Sequence, residues 1–135
     1  MIVFVDASFL IALFNKDDQL HKKAAKLTLH LERQNARFIT SNIVLAETIN
    51  VIFRLKGAKS AKKLYSLFKE AGIEEFFVPK AIFQRAYSLL WEQKRKGLNF
   101  FDCLHLVTME HLKIKNLLTF DEGFKGQKIK TLGLD

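Results

Sequence analysis

The sequence predicts a single α/β domain over residues 1–135, with three layers and a mainly parallel central sheet of four to five strands. Three observations predict this class. Short continuous apolar runs, such as IVFV at residues 2–5, are typical of strands buried on both faces. Longer segments with helical spacing of their apolar residues separate these runs. The chain has 135 residues, 49% of them hydrophobic, which is enough for one compact core.

The elements alternate along the whole chain. Strands are expected at residues 2–5, 37–40, 73–78, 114–120 and, as a short last one, 128–134. Helices are expected at residues 8–15, 19–33, 43–56, 59–71, 79–96 and 101–112. Polar residues can cap the first three helices; these are Asp6 or Ser8, Asp17 or Asp18, and Ser41 or Asn42. Glycines end the third, fourth and fifth helices; these are Gly57, Gly72 and Gly97.

The charge of the chain favours an anionic partner. The formal net charge is +8 and the isoelectric point is about 9.7, which indicates nucleic acid as the commonest partner of this kind. Solubility is the alternative explanation. Cys103 is the one cysteine, so no intrachain disulfide can form, and no apolar stretch approaches the roughly 20 residues that span a membrane. We therefore expect a cytoplasmic protein.

Asp6 and Asp121 each follow an apolar strand directly. In open α/β sheets, ligands bind beyond the carboxyl ends of the strands, and both acids are expected at that edge. Each also has a local explanation. Asp6 can cap the first helix, and Asp121 can form a turn with Gly123.

Glu47 and Asp102 lie on predicted helices among apolar neighbours. The helix that carries Glu47 is apolar nearly all round, so a carboxylate there needs a positive partner or a metal ion. A buried salt bridge to Lys or Arg is the structural alternative. Asp102 can cap its helix, and His105, one turn further on, is more typical of a packed or hydrogen-bonded residue than of a ligand.

Taken together, the four acids predict a metal site. If the carboxylates converge, they repel one another unless cations or raised pKa values compensate. Sites made only of carboxylate oxygens suit Mg²⁺ or Mn²⁺. A metal site of this kind on a basic protein is what hydrolysis of RNA phosphodiester bonds needs. The run KRK, Lys94 to Lys96, is a possible RNA contact or else a solvated helix C-terminus, and no motif for stacking single-stranded bases is evident.

The order of these motifs resembles the PIN domain, and in particular the VapC-type toxin ribonucleases. The residues that carry the resemblance are D-x-S at the N-terminus, L-A-E in the third helix, F-D-C-L-H in a later one, and L-T-F-D-E-G-F after the following strand. They cover essentially the whole chain. One departure is that Glu122 and Gly123 follow the fourth acid, where many members have another acid or an Asn–Asp pair.

The resemblance implies a flap-endonuclease-like α/β/α fold and a ribonuclease that depends on Mg²⁺ or Mn²⁺. The acidic quartet of the family falls on Asp6, Glu47, Asp102 and Asp121 as catalytic residues and metal ligands, with Ser8 and Thr119 in support. It further implies RNA as the substrate, a homodimer and an antitoxin protein as a partner. Whether the site holds one metal ion or two is left open by the resemblance.

Three other interpretations stay open from the residues. The chain can be a non-catalytic RNA- or protein-binding module of the same fold, although its four acids argue against that. It can be an RNA-processing nuclease without an antitoxin. A phosphatase or receiver-type protein with Asp6 as nucleophile is disfavoured, because such proteins usually have a second acid two residues on, where this chain has Ser8.

Overall fold

The computed structural model describes residues 1–94 and 97–134, which form five strands and six α-helices. The strands are β1 (Ile2–Val5), β2 (Arg37–Ser41), β3 (Glu74–Phe76), β4 (Asn116–Leu118) and β5 (Lys130–Leu132). The helices are α1 (Ala7–Phe14), α2 (His21–Arg33), α3 (Asn42–Lys56), α4 (Ala58–Glu70), α5 (Lys80–Glu92) and α6 (Phe100–Leu112), and a short 3₁₀ turn covers Glu122–Phe124.

All strand pairs of the sheet are parallel, in the order β3-β2-β1-β4-β5. Three successive residues of β1, Val3 to Val5, are buried, so side chains on both faces of the sheet are covered. This confirms the predicted three-layer α/β class. The chain leaves β1 toward β2 on one side and returns to β4 on the other. The carboxyl ends of β1 and β4 therefore meet at a topological switch point, where α/β proteins place their ligand sites.

Most helix ends lie where the sequence predicts them. Ser41 caps α3, because its hydroxyl accepts a hydrogen bond from the Val44 N–H at 3.1 Å. Gly57 ends that helix with a φ of 89°, a conformation that costs glycine little. The prediction that α5 continues to residue 96 is wrong, since the helix ends at Glu92.

The side chain of Gln93 explains this early end. Its amide nitrogen donates to the Leu98 carbonyl at 2.9 Å, and its amide oxygen accepts from the Leu98 N–H at the same distance. The amide thus satisfies both backbone polar groups of Leu98 in place of a further helical turn. Within the described residues, no helix has both the length and the hydropathy needed to cross a membrane.

Candidate active site

Asp6 is the buried centre of the candidate site. Its backbone N–H donates to the Leu118 carbonyl at 3.0 Å, which extends the pairing of β1 with β4 by one residue. Asp6 occupies the cap position of α1, yet its side chain makes no capping hydrogen bond. The residue is only 6% exposed, and because its side chain caps nothing, the helix-cap explanation does not account for it.

Two hydroxyl groups hold the Asp6 carboxylate instead. Thr119 Oγ1 donates to Asp6 Oδ2 at 2.8 Å, and Ser8 Oγ donates to the same oxygen at 3.0 Å. The hydroxyls also accept hydrogen bonds from the chain after β4, Ser8 from the Phe120 N–H at 3.0 Å and Thr119 from the Asp121 N–H at 2.9 Å. The predicted supporting residues therefore lock the ends of β1 and β4 together around one carboxylate.

Asp121 lies just outside this network and is exposed. Its Oδ1 accepts a hydrogen bond from the Gly123 N–H at 2.8 Å, so the turn expected from the sequence is present. That contact uses one carboxylate oxygen. Asp121 is also close enough to Asp102 for its charge to act on that residue.

Asp102 lies in the first turn of α6. It forms a capping box with Asn99, whose side chain accepts from the Asp102 N–H at 2.8 Å while Asp102 Oδ2 accepts from the Asn99 N–H at 3.1 Å. Burial raises the pKa of Asp102, and the charges of Asp121 and Asp6 raise it further. The Asn99 N–H and His105 act in the opposite direction on this pKa. The three aspartates therefore lie within electrostatic reach of one another.

Glu47 is paired with a histidine and not with the Lys or Arg that the sequence suggests. His105 Nε2 donates to Glu47 Oε1 at 2.9 Å, and the His105 side chain is only 3% exposed. The Glu47 side chain is 31% exposed, since α3 buries one face and is not buried all round as predicted. Sequence reasoning missed this pair, although His105 lies one turn after Asp102 on the same helix.

The donor chemistry of the site fits Mg²⁺ or Mn²⁺, but the acids are not gathered into a ready cluster. Across residues 1–94 and 97–134, no group of three or more His, Cys, Asp or Glu side chains is close enough to hold one ion. Over the same residues, no Lys or Arg makes an ion pair with Asp6, Asp102 or Asp121. Carboxylates that repel one another without a cationic partner suit a hard divalent ion. The four-residue ligand set remains a prediction.

Of the predicted RNA contacts, Lys94 is exposed and lies beyond the end of α5. It follows the C-terminal cap residue Gln93 directly, so it still lies beside the helix C-terminus, and its contact with RNA remains a prediction. Arg95 and Lys96 lie outside the described residues.

Comparison with known proteins gives a consistent result over nearly the whole chain. The chain is 27% identical over 123 residues to the 23S rRNA-specific endonuclease VapC20 of Mycobacterium tuberculosis, covering 91% of this chain and 92% of that protein. The crystal structure of that VapC20, described as a sarcin–ricin loop cleaving toxin, superposes with a TM-score of 0.80 at 25% identity, covering 95% of this chain and 98% of the other.

A second solved structure shares the fold at lower identity. VapBC2 from Rickettsia felis, bound to a DNA fragment from its promoter, matches with a TM-score of 0.71 at 18% identity, covering 98% of both chains. The PIN domain family itself matches residues 3–129, which include all four acids and both hydroxyl residues of the site. The chain therefore belongs to the PIN domain family.

Proposed function

We propose that this chain is a ribonuclease that hydrolyses RNA phosphodiester bonds with Mg²⁺ or Mn²⁺ and acts as the toxin of a toxin–antitoxin pair. One observation carries the proposal. The charges of Asp6 and Asp121 act on Asp102 near the switch point between β1 and β4, and none of these three acids is paired with a Lys or Arg in the described part of the chain. The similarity to VapC20, a 23S rRNA-specific endonuclease, supports RNA as the substrate.

Each residue has a role that follows from its contacts. Asp6 is held in one orientation by the Ser8 and Thr119 hydroxyls, so it presents its other oxygen, Oδ1, without rotating. Asp102 is anchored through Oδ2 by the Asn99 N–H. These two residues, with Asp121 and Glu47, would hold the metal.

The bound metal ion would stabilise charge on the scissile phosphate and lower the pKa of a water molecule. Glu47 is oriented by His105, which donates to one of its oxygens and leaves the other available. Asp121 needs only a side-chain rotation out of its turn to offer both oxygens. Asp6 and Asp102 are thus anchored by hydrogen bonds to their surroundings, whereas Glu47 and Asp121 each use one oxygen in a single hydrogen bond.

We also propose the partners that the toxin function requires. These are an RNA substrate, an antitoxin protein, and a second copy of the chain in a homodimer, all in the cytoplasm. The support for the antitoxin is that VapC20 is described as a toxin and that the Rickettsia felis structure is a VapBC assembly. The net charge of +8 supports the RNA.

An RNA cleavage assay with and without Mn²⁺, comparing the wild type with Asp6→Asn, tests the proposal. Wild type should cleave only with the metal. Asp6→Asn should lose at least about 100-fold in rate, since a metal site contributes several kcal/mol to catalysis. Asp18→Asn is the matched control, because Asp18 Oδ1 only accepts from the Leu20 N–H and an amide oxygen preserves that bond.

Calorimetric titration of Mn²⁺ shows whether a chain that cleaves no RNA in the assay still binds the metal. A wild-type protein that binds no Mn²⁺ and cleaves no RNA would be a non-catalytic module of the PIN fold. Cleavage retained by purified Asp6→Asn would contradict the assignment of the site.

A further inference from the structure

Four aromatic rings form one continuous surface at the junction of α5 and α6. Tyr87 and Phe100 stack with ring centroids 4.5 Å apart and planes 25° apart. Trp91 also stacks with Tyr87, with ring centroids 6.0 Å apart and planes 16° apart. Phe101 meets Phe100 edge-on at 5.7 Å. We call Tyr87, Trp91, Phe100 and Phe101 the aromatic platform.

Three side chains of the aromatic platform are exposed to solvent and do not lie in the hydrophobic core. Trp91 is 72% exposed, Phe101 45% and Tyr87 44%. Exposed apolar side chains that occur singly need no explanation, but a contiguous group indicates a binding surface. Tyr87 stacks with both Phe100 and Trp91, and the Trp91 ring is the member of the group most open to a flat partner.

The aromatic platform is continuous with the candidate active site. Phe100 and Phe101 directly precede Asp102 in the first turn of α6, so their backbone lies within about 6 Å of that acid. The Gln93–Leu98 hydrogen bonds close the loop between the two helices and hold their ends together. Lys94, three residues after Trp91, is exposed and adds positive charge beside the rings.

We propose that the aromatic platform stacks with unpaired nucleobases of the RNA whose phosphodiester bond reaches Asp6 and Asp102. This inference rests on the proposed function and extends it by naming the surface on which unpaired bases of the substrate would lie. Bases that are splayed out of a helix stack on Trp, Tyr and Phe rings, and each such base contributes substantially to affinity. The adjoining Lys94 and the net charge of +8 complement the RNA backbone.

Trp91 allows a direct test, because it is the only tryptophan in the chain. Its fluorescence should be quenched in a saturable way by a single-stranded RNA oligonucleotide of about ten nucleotides, measured in EDTA so that no cleavage occurs. Inorganic polyphosphate, an anion without bases, should bind without comparable quenching. The RNA paired with its complement should quench less, since its bases are already stacked.

Substitutions in the aromatic platform test whether RNA binds there. Trp91→Ala and Tyr87→Ala should each weaken RNA binding by about 5- to 100-fold in fluorescence anisotropy with labelled RNA. Trp91→Phe should retain most of the affinity, whereas Trp91→Leu should not. Tyr65→Ala is the matched control, because Tyr65 on α4 is 42% exposed and should leave RNA affinity within about twofold.

Several results would overturn the proposal. They are equal quenching by polyphosphate, wild-type RNA affinity in Tyr87→Ala and Trp91→Ala, or loss of self-association in these variants by light scattering. The last would assign the platform to an interface between copies of the chain.

The inference and the proposed function fail separately. A wild-type chain that binds RNA with quenching but does not cleave it with Mn²⁺ would reject the nuclease and support the platform. Normal cleavage by both alanine variants would reject the platform and leave the nuclease standing.

Discussion

The two sides of the candidate site are built by different means. On the strand side, Asp6 is buried, and two hydroxyls join it to the chain that follows β4. On the helix side, Asp102 is half-buried in a capping box and Glu47 depends on a single contact with His105. The strand side is thus a network in which each member has several partners, whereas the helix side consists of separate pairs.

This difference teaches where catalysis and stability are coupled. A change on the strand side leaves several buried groups without partners, so it should reduce stability and activity together. A change on the helix side should reduce activity with little loss of stability, or with a gain where repulsion is relieved. Variants of the two sides should therefore differ in whether stability is lost together with activity.

Asp102→Asn should give the largest effect, a loss of at least about 100-fold in Mn²⁺-dependent cleavage. The asparagine oxygen can still accept from the Asn99 N–H, so the helix cap should persist. Thermal unfolding without metal should show a free energy of unfolding equal to or above that of the wild type. A clear loss of stability in Asp102→Asn would contradict the expectation that changes on the helix side leave the fold intact.

The stability difference between Asp102→Asn and the wild type should depend on pH. Because burial raises the pKa of Asp102 in the folded state, the folded chain binds more protons than the unfolded chain just above the ordinary aspartate pKa. The contribution of Asp102 to stability should therefore fall as pH rises through that range. In metal-free buffer, the stability of Asp102→Asn relative to wild type should increase over the same range.

His105→Leu should lower cleavage by about 10- to 100-fold, because it removes the donor that orients Glu47. His105→Gln should recover part of this loss, since its amide nitrogen can donate in the same direction. Mn²⁺ affinity by calorimetry should follow the same order. Equal activity in the two variants would show that the imidazole serves only to fill space.

Thr119→Val should destabilise the fold by about 1–3 kcal/mol and lower cleavage by roughly tenfold, because Thr119 bonds both Asp6 and the Asp121 N–H. Thr108→Val is the matched control. Thr108 is equally buried, but its hydroxyl donates only to the Leu104 carbonyl within α6. Equal destabilisation of the two variants in denaturant unfolding would argue against a special network on the strand side.

Lys94→Ala should give the smallest effect, a few-fold loss in RNA affinity that is similar for all sequences. The slope of the logarithm of affinity against the logarithm of salt concentration should decrease by about one. Lys115→Ala, another exposed lysine that precedes β4, is the control. An unchanged slope for Lys94→Ala would remove this residue from the RNA-binding surface.

The fold was accessible from the sequence because its signals are local. The apolar run of β1, the Ser41 cap and the Gly57 stop each depend on a few neighbouring residues, and the structure has all three. The end of α5 was not accessible, because it depends on the Gln93 amide meeting the backbone of Leu98.

The site was predictable as a set of residue types but not as a set of contacts. The resemblance to the PIN domain singled out Ser8 and Thr119, and in the structure both hydroxyls donate to Asp6. The partner of Glu47 lies 58 positions away, and the Phe100 ring reaches Tyr87 from the next helix. Such pairings depend on how helices pack, which spacing along one segment does not reveal.

The hydrogen bond from Thr119 to Asp6 also has a kinetic consequence. These residues are 113 positions apart, so the candidate site is incomplete until β4 has been synthesised and has paired with β1. Contacts of such sequence separation form late, because the closure of a long loop must come first. We expect a nascent chain to lack the candidate site until residues 116–121 have been synthesised and have folded against β1.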